Sequence, residues 1–174
     1  MHLDDPTQVD ATRDIRRQMT KLLPDLRAFA RFLTRDATAA DDLVQDTVVR
    51  ALAAQDSFQP GTNLKAWLFT IQRNGFYETI RRRKRETRIM SEQGGGETHA
   101  TVPEAHRRSE LSDLQRMLWT LPPLLREALV LVGAQELSHE EAATICGVPV
   151  GTMKARVSRA RGQLARTMDG SRDG

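Results

Sequence analysis

Cysteine occurs once in this 174-residue chain, at Cys146. A single thiol excludes an intrachain disulfide and fits a reducing compartment. It lies beside Ile145 and Val148, which makes it a packed thiol rather than a redox group. His2, His99, His106 and His139 do not stand at ligand spacing with one another or with Cys146, so no metal centre is expected. Aromatic residues are scarce, at 5% of the chain. No phosphate-cradling loop and no nucleophile–base constellation is present, so the chain reads as a non-enzyme without a cofactor. No apolar run is long enough to span a bilayer, and the N-terminus lacks the pattern of a secretory signal. A cytoplasmic protein with no membrane insertion is therefore expected. Strand signals are absent as well, which leaves an all-α fold.

Charge is present in quantity but segregated. Lysine and arginine number 26 against 23 acidic residues, for a net charge of +3. Asp36, Asp41, Asp42 and Asp46 form an acidic cluster. Arg81, Arg82, Arg83, Lys84, Arg85 and Arg88 form a basic one. From Ala142 to Met168 there is no acidic residue. This distribution predicts contact with DNA at two places and with something basic at a third.

The second basic region carries the most specific local pattern. Ser138 and Glu141 have the spacing of a capping box, which opens a helix. A short helix over Glu140 to Ile145 is expected to end in a turn at Cys146-Gly147-Val148, with Gly147 free to take positive φ. Pro149 leads into a second helix. This is helix-turn-helix geometry, whose second helix enters the DNA major groove. At 100° per residue, Met153, Val157, Ala160 and Leu164 fall within one arc and form the buried stripe. Gly151, Ala155, Ser158, Arg159 and Gly162 oppose it, flanked by Lys154 and Arg161 on one side and Arg156 on the other. Small residues permit close approach to a groove, and the cations reach phosphates or base edges.

Upstream, residues 1–18 read as a polar arm or a frayed helix start. Pro24 fits the first turn of a helix with the stripe Leu22, Leu26, Phe29 and Leu33. Thr38 caps a second helix, with Leu43, Val44, Thr47, Val48, Ala51 and Leu52 inward. Phe58-Gln59-Pro60-Gly61-Thr62 is a turn-rich loop. Asn63 caps a third helix, which buries Leu64, Trp67, Leu68 and Ile71 and runs on to the arginine block. Gly94-Gly95-Gly96 marks a flexible linker. Helical periodicity returns at Leu111, Leu114, Leu118 and Leu121, is interrupted by Pro122-Pro123, and resumes at Leu125, Ala128, Leu129 and Val132. The expected organisation is an arm (1–18), a helical domain (19–88), a linker (89–108) and a second helical domain (109–170).

The segments DDLVQDTVVRAL (Asp41 to Leu52), FQPGTNLKAWLFTIQRN (Phe58 to Asn74) and VPVGTMKARVSRAR (Val148 to Arg161) resemble, in order and spacing, the extracytoplasmic-function sigma factors of bacteria. WLFTIQRNGFY (Trp67 to Tyr77) and LPPLLREALVLVGA (Leu121 to Ala134) resemble its EcfG-like general-stress branch, with departures at Gln72, Gly75 and Ala155. The resemblance implies sigma region 2 followed by sigma region 4, binding to core RNA polymerase through the β′ clamp and β flap, and promoter DNA as the second partner, melted downstream and double-stranded upstream. It implies polymerase docking by Asp41, Asp42, Gln45 and Asp46, of which Gln45 and Asp46, further from the helix start, are the stronger candidates. It places a flipped-out base at the loop of Gln59, Gly61, Thr62 and Asn63, the edge of the melted region at Asn74, and backbone contacts at Arg73, Arg81, Arg82, Arg83 and Lys84. It assigns the upstream element to Lys154, Ala155, Arg156, Ser158, Arg159 and Arg161. A small helical anti-sigma factor is the implied regulator, touching Val48 and Leu52 in the first domain and Leu125, Leu129 and Val132 in the second. Two alternatives stand beside this reading: a conventional helix-turn-helix regulator, which leaves the acidic helix and arginine block unexplained, and a sigma mimic that sequesters an anti-sigma factor, which needs no basic recognition face.

Overall fold

The computed structural model describes residues 6–92 and 113–170, with side chains over 13–92 and 115–169. No strand occurs among the described residues. The chain divides into two compact units, Met1–Arg85 and Glu86–Gly174. The triple-glycine segment lies outside the described residues.

The first unit contains α1 (Pro6–Thr34), α2 (Ala37–Ala53) and most of α3 (Leu64–Glu92), with a short 3₁₀ turn at Gln55–Ser57. Pro24 does not open a helix; it lies inside α1, which begins at Pro6. A proline inside a helix costs about 3 kcal/mol. Met19 before it, and Leu26, Phe29 and Ala30 after it, are all buried on one continuous stripe. Full burial stabilises a leucine or phenylalanine by about 1.5–3 kcal/mol each, so packing outweighs the break. The expected polar arm is thus helical from Pro6 onward. The cap of α2 is Asp36 rather than Thr38: its carboxylate accepts from the Ala39 amide at 2.8 Å. Asp36 therefore serves the helix terminus first.

Phe29 of α1 stacks on Phe69 of α3, with ring centroids 4.5 Å apart. Beside them Gln72 is fully buried, and its Nε2 donates to the Leu26 carbonyl at 3.0 Å. Gly75 lets α3 approach α2. A Cβ there would lie 3.3 Å from the Asp46 carboxylate.

The second unit's described helices are α4 (Asp113–Thr120), α5 (Pro123–Leu129), α6 (His139–Cys146) and α7 (Val150–Gly170), with a π-helical turn at Val130–Ala134 after α5. Its core is Leu121, Ala128, Leu131, Ile145, Met153, Val157 and Ala160. In the π turn the Gln135 amide donates to the Val130 carbonyl at 2.9 Å. The wider turn rotates the chain so that both Leu131 and Leu137 are buried.

Candidate nucleic-acid interface

The helix-turn-helix forms from purely local instructions. The Glu141 amide donates to Ser138 Oγ at 3.0 Å, and the Ser138 amide to Glu141 Oε2 at 2.9 Å, which completes the capping box. Gly147 ends α6 at φ 65°, in the left-handed region that favours glycine. The Gly147 and Val148 amides return to the Thr144 and Ala143 carbonyls at 3.2 and 3.0 Å. The chain then turns into α7, which packs on α5 and α6 through Met153, Val157 and Ala160.

This docking fixes what α7 presents. Lys154, Ser158, Arg159 and Arg161 are exposed, while Ala155 and Arg156 are half-buried. None of Lys154, Arg156, Arg159 and Arg161 has an ion-pair partner among the described residues. The result is one outward basic face on a helix held by its packing against α5 and α6.

In the first unit, Gln59-Pro60-Gly61-Thr62 is a type II turn, with Gly61 at φ 85°. The Thr62 amide closes it on the Gln59 carbonyl at 3.2 Å, and the Thr62 hydroxyl donates to the same carbonyl at 2.6 Å. Asn63 Oδ1 accepts from the Ala66 amide at 3.3 Å, so it caps α3. All four residues of the loop's polar set, Gln59, Gly61, Thr62 and Asn63, are exposed. Two of them already serve the loop itself, which leaves the Gln59 amide as its most available hydrogen-bonding group. Phe58 packs tilted on Trp67 at 5.4 Å, an anchor between loop and helix. One turn further, the Arg73 guanidinium lies over the Tyr77 ring at 4.6 Å, while Asn74 and the block from Arg81 to Lys84 are exposed.

Asp41, Asp42, Gln45 and Asp46 are all exposed on α2. They are not equivalent. Arg50 Nε donates to Asp46 at 2.8 Å, and its NH1 donates to Glu78 of α3 at 2.7 Å. The Arg50 guanidinium holds the Glu78 carboxyl below its ordinary range, and the two carboxylates hold Arg50 above its own. Asp46 thus belongs to a bridge between helices, whereas Asp41 and Asp42 have no ion pair among the described residues. Val49, which the sequence reading passed over, is exposed at 65% in the middle of this acidic face. Its spacing gave the signal: it follows Gln45 by four residues and Asp42 by seven.

Among the described residues no cluster of histidine, cysteine or acidic side chains could hold a metal, and no helix is long and apolar enough to cross a membrane. Residues 19–86 match Sigma-70 region 2, and residues 111–164 match Sigma-70, region 4. The ECF RNA polymerase sigma factor EcfG of Rhodopseudomonas palustris is 47% identical over 165 residues, which is 93% of this chain and 90% of that one. The sigma factor RpoE of Bartonella quintana, solved in complex with the anti-sigma factor NepR, superposes with a TM-score of 0.71 at 45% identity, over 90% of this chain and 98% of that one. CnrH, solved with the cytosolic domain of CnrY, gives 0.64 at 26%, over 93% and 94%. An acidic helix, a turn-rich loop, a basic helix and a helix-turn-helix, in this order and with these relatives, have one reading: the chain belongs to the extracytoplasmic-function sigma factors of the sigma-70 family, which are transcription initiation factors and not enzymes.

Proposed function

We propose that this sigma factor directs core RNA polymerase to general-stress promoters in the cytoplasm and is held inactive by a small helical anti-sigma factor. The observation that carries the stress assignment is the likeness, across nine-tenths of both chains, to an EcfG. The anti-sigma assignment rests on the relative solved with NepR.

In this reading Asp41, Asp42 and Gln45 dock on the β′ clamp around Val49, with Asp46 contributing while it stays tied to Arg50. The second unit engages the β flap. The loop around Gln59 holds a flipped base, whose unstacking costs a few kcal/mol that a pocket must offset. Asn74 reads the edge of the melted region, and Arg73 supports it. The exposed face of α7 enters the major groove of the upstream element, where Arg159 donates to a guanine, Ser158 and Lys154 read neighbouring edges, and Ala155 offers van der Waals contact. Arg156 and Arg161 hold phosphates. An amphipathic anti-sigma helix lies against Val48 and Leu52 in one unit and Leu125, Leu129 and Val132 in the other. All five are half-buried, so each keeps an accessible edge. A conventional helix-turn-helix regulator has no use for the acidic face of α2, and family membership removes that alternative.

Run-off transcription tests the proposal. Purified chain added to core enzyme should produce promoter-dependent transcripts from a general-stress promoter, and addition of a NepR-type protein should silence them. Transcripts that persist at saturating inhibitor would remove the anti-sigma assignment. No transcript at all would remove the promoter assignment.

A further inference from the structure

From Phe58 to Arg85, the stretch that holds the turn-rich loop, Asn74 and most of the arginine block, there is one acidic residue, Glu78. It does not stand apart from the others. Glu78 follows the exposed Asn74 by four residues, so it lies about 40° round α3 and about 6 Å further along it. Arg81 stands three residues beyond Glu78, about 60° back round the helix and almost in line with Asn74. A phosphate chain running along α3 from Asn74 to Arg81 therefore passes beside the Glu78 carboxylate, whose side chain is 56% exposed. A bare carboxylate at this point would repel the strand that its neighbours attract.

The carboxylate is not bare, and its partner comes from another helix. Arg50 of α2 donates from NH1 to Glu78 Oε2 at 2.7 Å and from Nε to Asp46 at 2.8 Å. Asp46 lies one turn before Arg50 and aims the guanidinium across to α3. Gly75, three residues before Glu78, keeps the space this needs, since a Cβ there would lie 3.3 Å from the Asp46 carboxylate. The Arg50 hydrogen bond is the largest influence on the Glu78 carboxyl and holds it below its ordinary range; Arg82 and Arg81 act on it more weakly. Both ends of the bridge are well exposed, and exposed ion pairs add little to stability. Attachment of α2 to α3 is thus a weak reason for this arrangement. Cancelling a charge beside the path of a polyanion is a stronger one, because every phosphate that passes feels it.

We infer that Arg50 is a positioning residue for promoter binding: it acts through Glu78, cancelling the one negative charge beside the path of the strand, so that α3 keeps an unbroken attractive surface from Asn74 to Arg81. The inference rests on the promoter-binding reading above. It gives a DNA-side role to a side chain rooted in α2, the helix whose acids that reading assigns to polymerase.

The test uses holoenzyme assembled from the full chain and saturating core polymerase, and a fork probe in which duplex adjoins the single-stranded downstream element. Arg50→Ala should lower affinity for the fork by about three- to tenfold at low salt, with the loss shrinking as added salt shortens the Debye length. Glu78→Gln breaks the same bridge but removes the negative charge, so it should bind the fork as tightly as wild type or more tightly. The Arg50→Ala/Glu78→Gln variant should recover the affinity lost in Arg50→Ala, and Arg50→Lys should keep most of it. A bridge that only held the helices together would behave otherwise: breaking it from either end would cost the same, and the double variant would not recover. Either of those results would overturn the inference, as would undiminished binding by Arg50→Ala. Arg17→Ala is the control for net charge, since Arg17 is an exposed arginine paired with Asp14 at 2.8 Å on α1. A loss as large in Arg17→Ala would reduce the effect to overall charge and overturn the inference too. If Arg50→Ala fails to fold or to bind core enzyme, Glu78→Gln decides alone: weaker fork binding by its assembled holoenzyme overturns the inference, and equal or tighter binding supports it. Wild-type holoenzyme unable to bind the fork would refute the promoter-binding reading itself, a result separate from any comparison of variants.

Discussion

At the scale of single residues, two backbone positions carry strain and one exposed side chain is the proposed carrier of specificity. Glu136 adopts φ 57° and Arg35 φ 55°, left-handed conformations that cost an L-residue roughly 1–2 kcal/mol. Glu136 occupies this region because the π turn delivers the chain there before Leu137 is buried. Glu136→Gly should raise stability by about 0.5–1 kcal/mol, the relief being partly offset by the freer unfolded chain. Thermal melting checks this, and a lowered midpoint would show that the Glu136 side chain contributes more than its backbone costs. Arg159 stands exposed on α7 without an ion pair among the described residues. Arg159→Ala should reduce discrimination at one upstream base pair by about 1–3 kcal/mol, measured as holoenzyme affinity for matched and mismatched promoters. Equal loss on both promoters would make Arg159 a phosphate contact.

At the scale of helices, the question is which acids on α2 are available to a partner. Asp42 is exposed and without an ion pair among the described residues, whereas Asp46 is tied through Arg50 to Glu78 on α3. Asp42→Lys should abolish or sharply weaken binding to core polymerase with the melting temperature unchanged; retained affinity would exclude Asp42 from the dock. Asp46→Lys should weaken binding and also loosen α2 from α3, so it is the less clean probe. The bridge has a pH signature. The Glu78 carboxyl is held below its ordinary value, chiefly by its hydrogen bond from Arg50. Its contribution is present above the unfolded carboxylate pKa, about 4.3, and is lost as pH falls through the lower folded value. Glu78→Gln should flatten the acid side of the stability profile, and an identical profile would show the bridge to be idle. Both the bridge and Pro24 show where a sequence stops being legible. The helix-turn-helix was readable because Ser138, Glu141 and Gly147 act on neighbours within one turn. Arg50 and Asp46 stand four apart and were equally open to view, but Glu78 lies 28 residues from Arg50. Pro24 reads as a helix start until Gln72 and Phe69 are known to pack against the helix that contains it. Gln72 meets Leu26 across 46 positions. A loop donor such as Asn63 reads equally well as a cap or as a base contact, and local spacing does not separate the two.

At the scale of the whole molecule, two units each carry part of a promoter-binding surface, and neither part is large. In the proposed reading the exposed basic face of α7 supplies a few contacts, and the loop and α3 supply a few more. Two modest sites gain strength together when something fixes their separation and raises the effective concentration of the second once the first is bound. Core polymerase is the body that can fix it, because sigma regions 2 and 4 both bind it. The central claim is that promoter choice belongs to the assembled holoenzyme. The direct measurement is the affinity of the chain for a promoter fragment and for a scrambled fragment of equal length, with and without core polymerase, at one salt concentration. Weak and nearly equal binding to both fragments by the free chain, with strong preference for the promoter once core enzyme is present, is the predicted result. Tight, promoter-specific binding by the free chain would contradict the account.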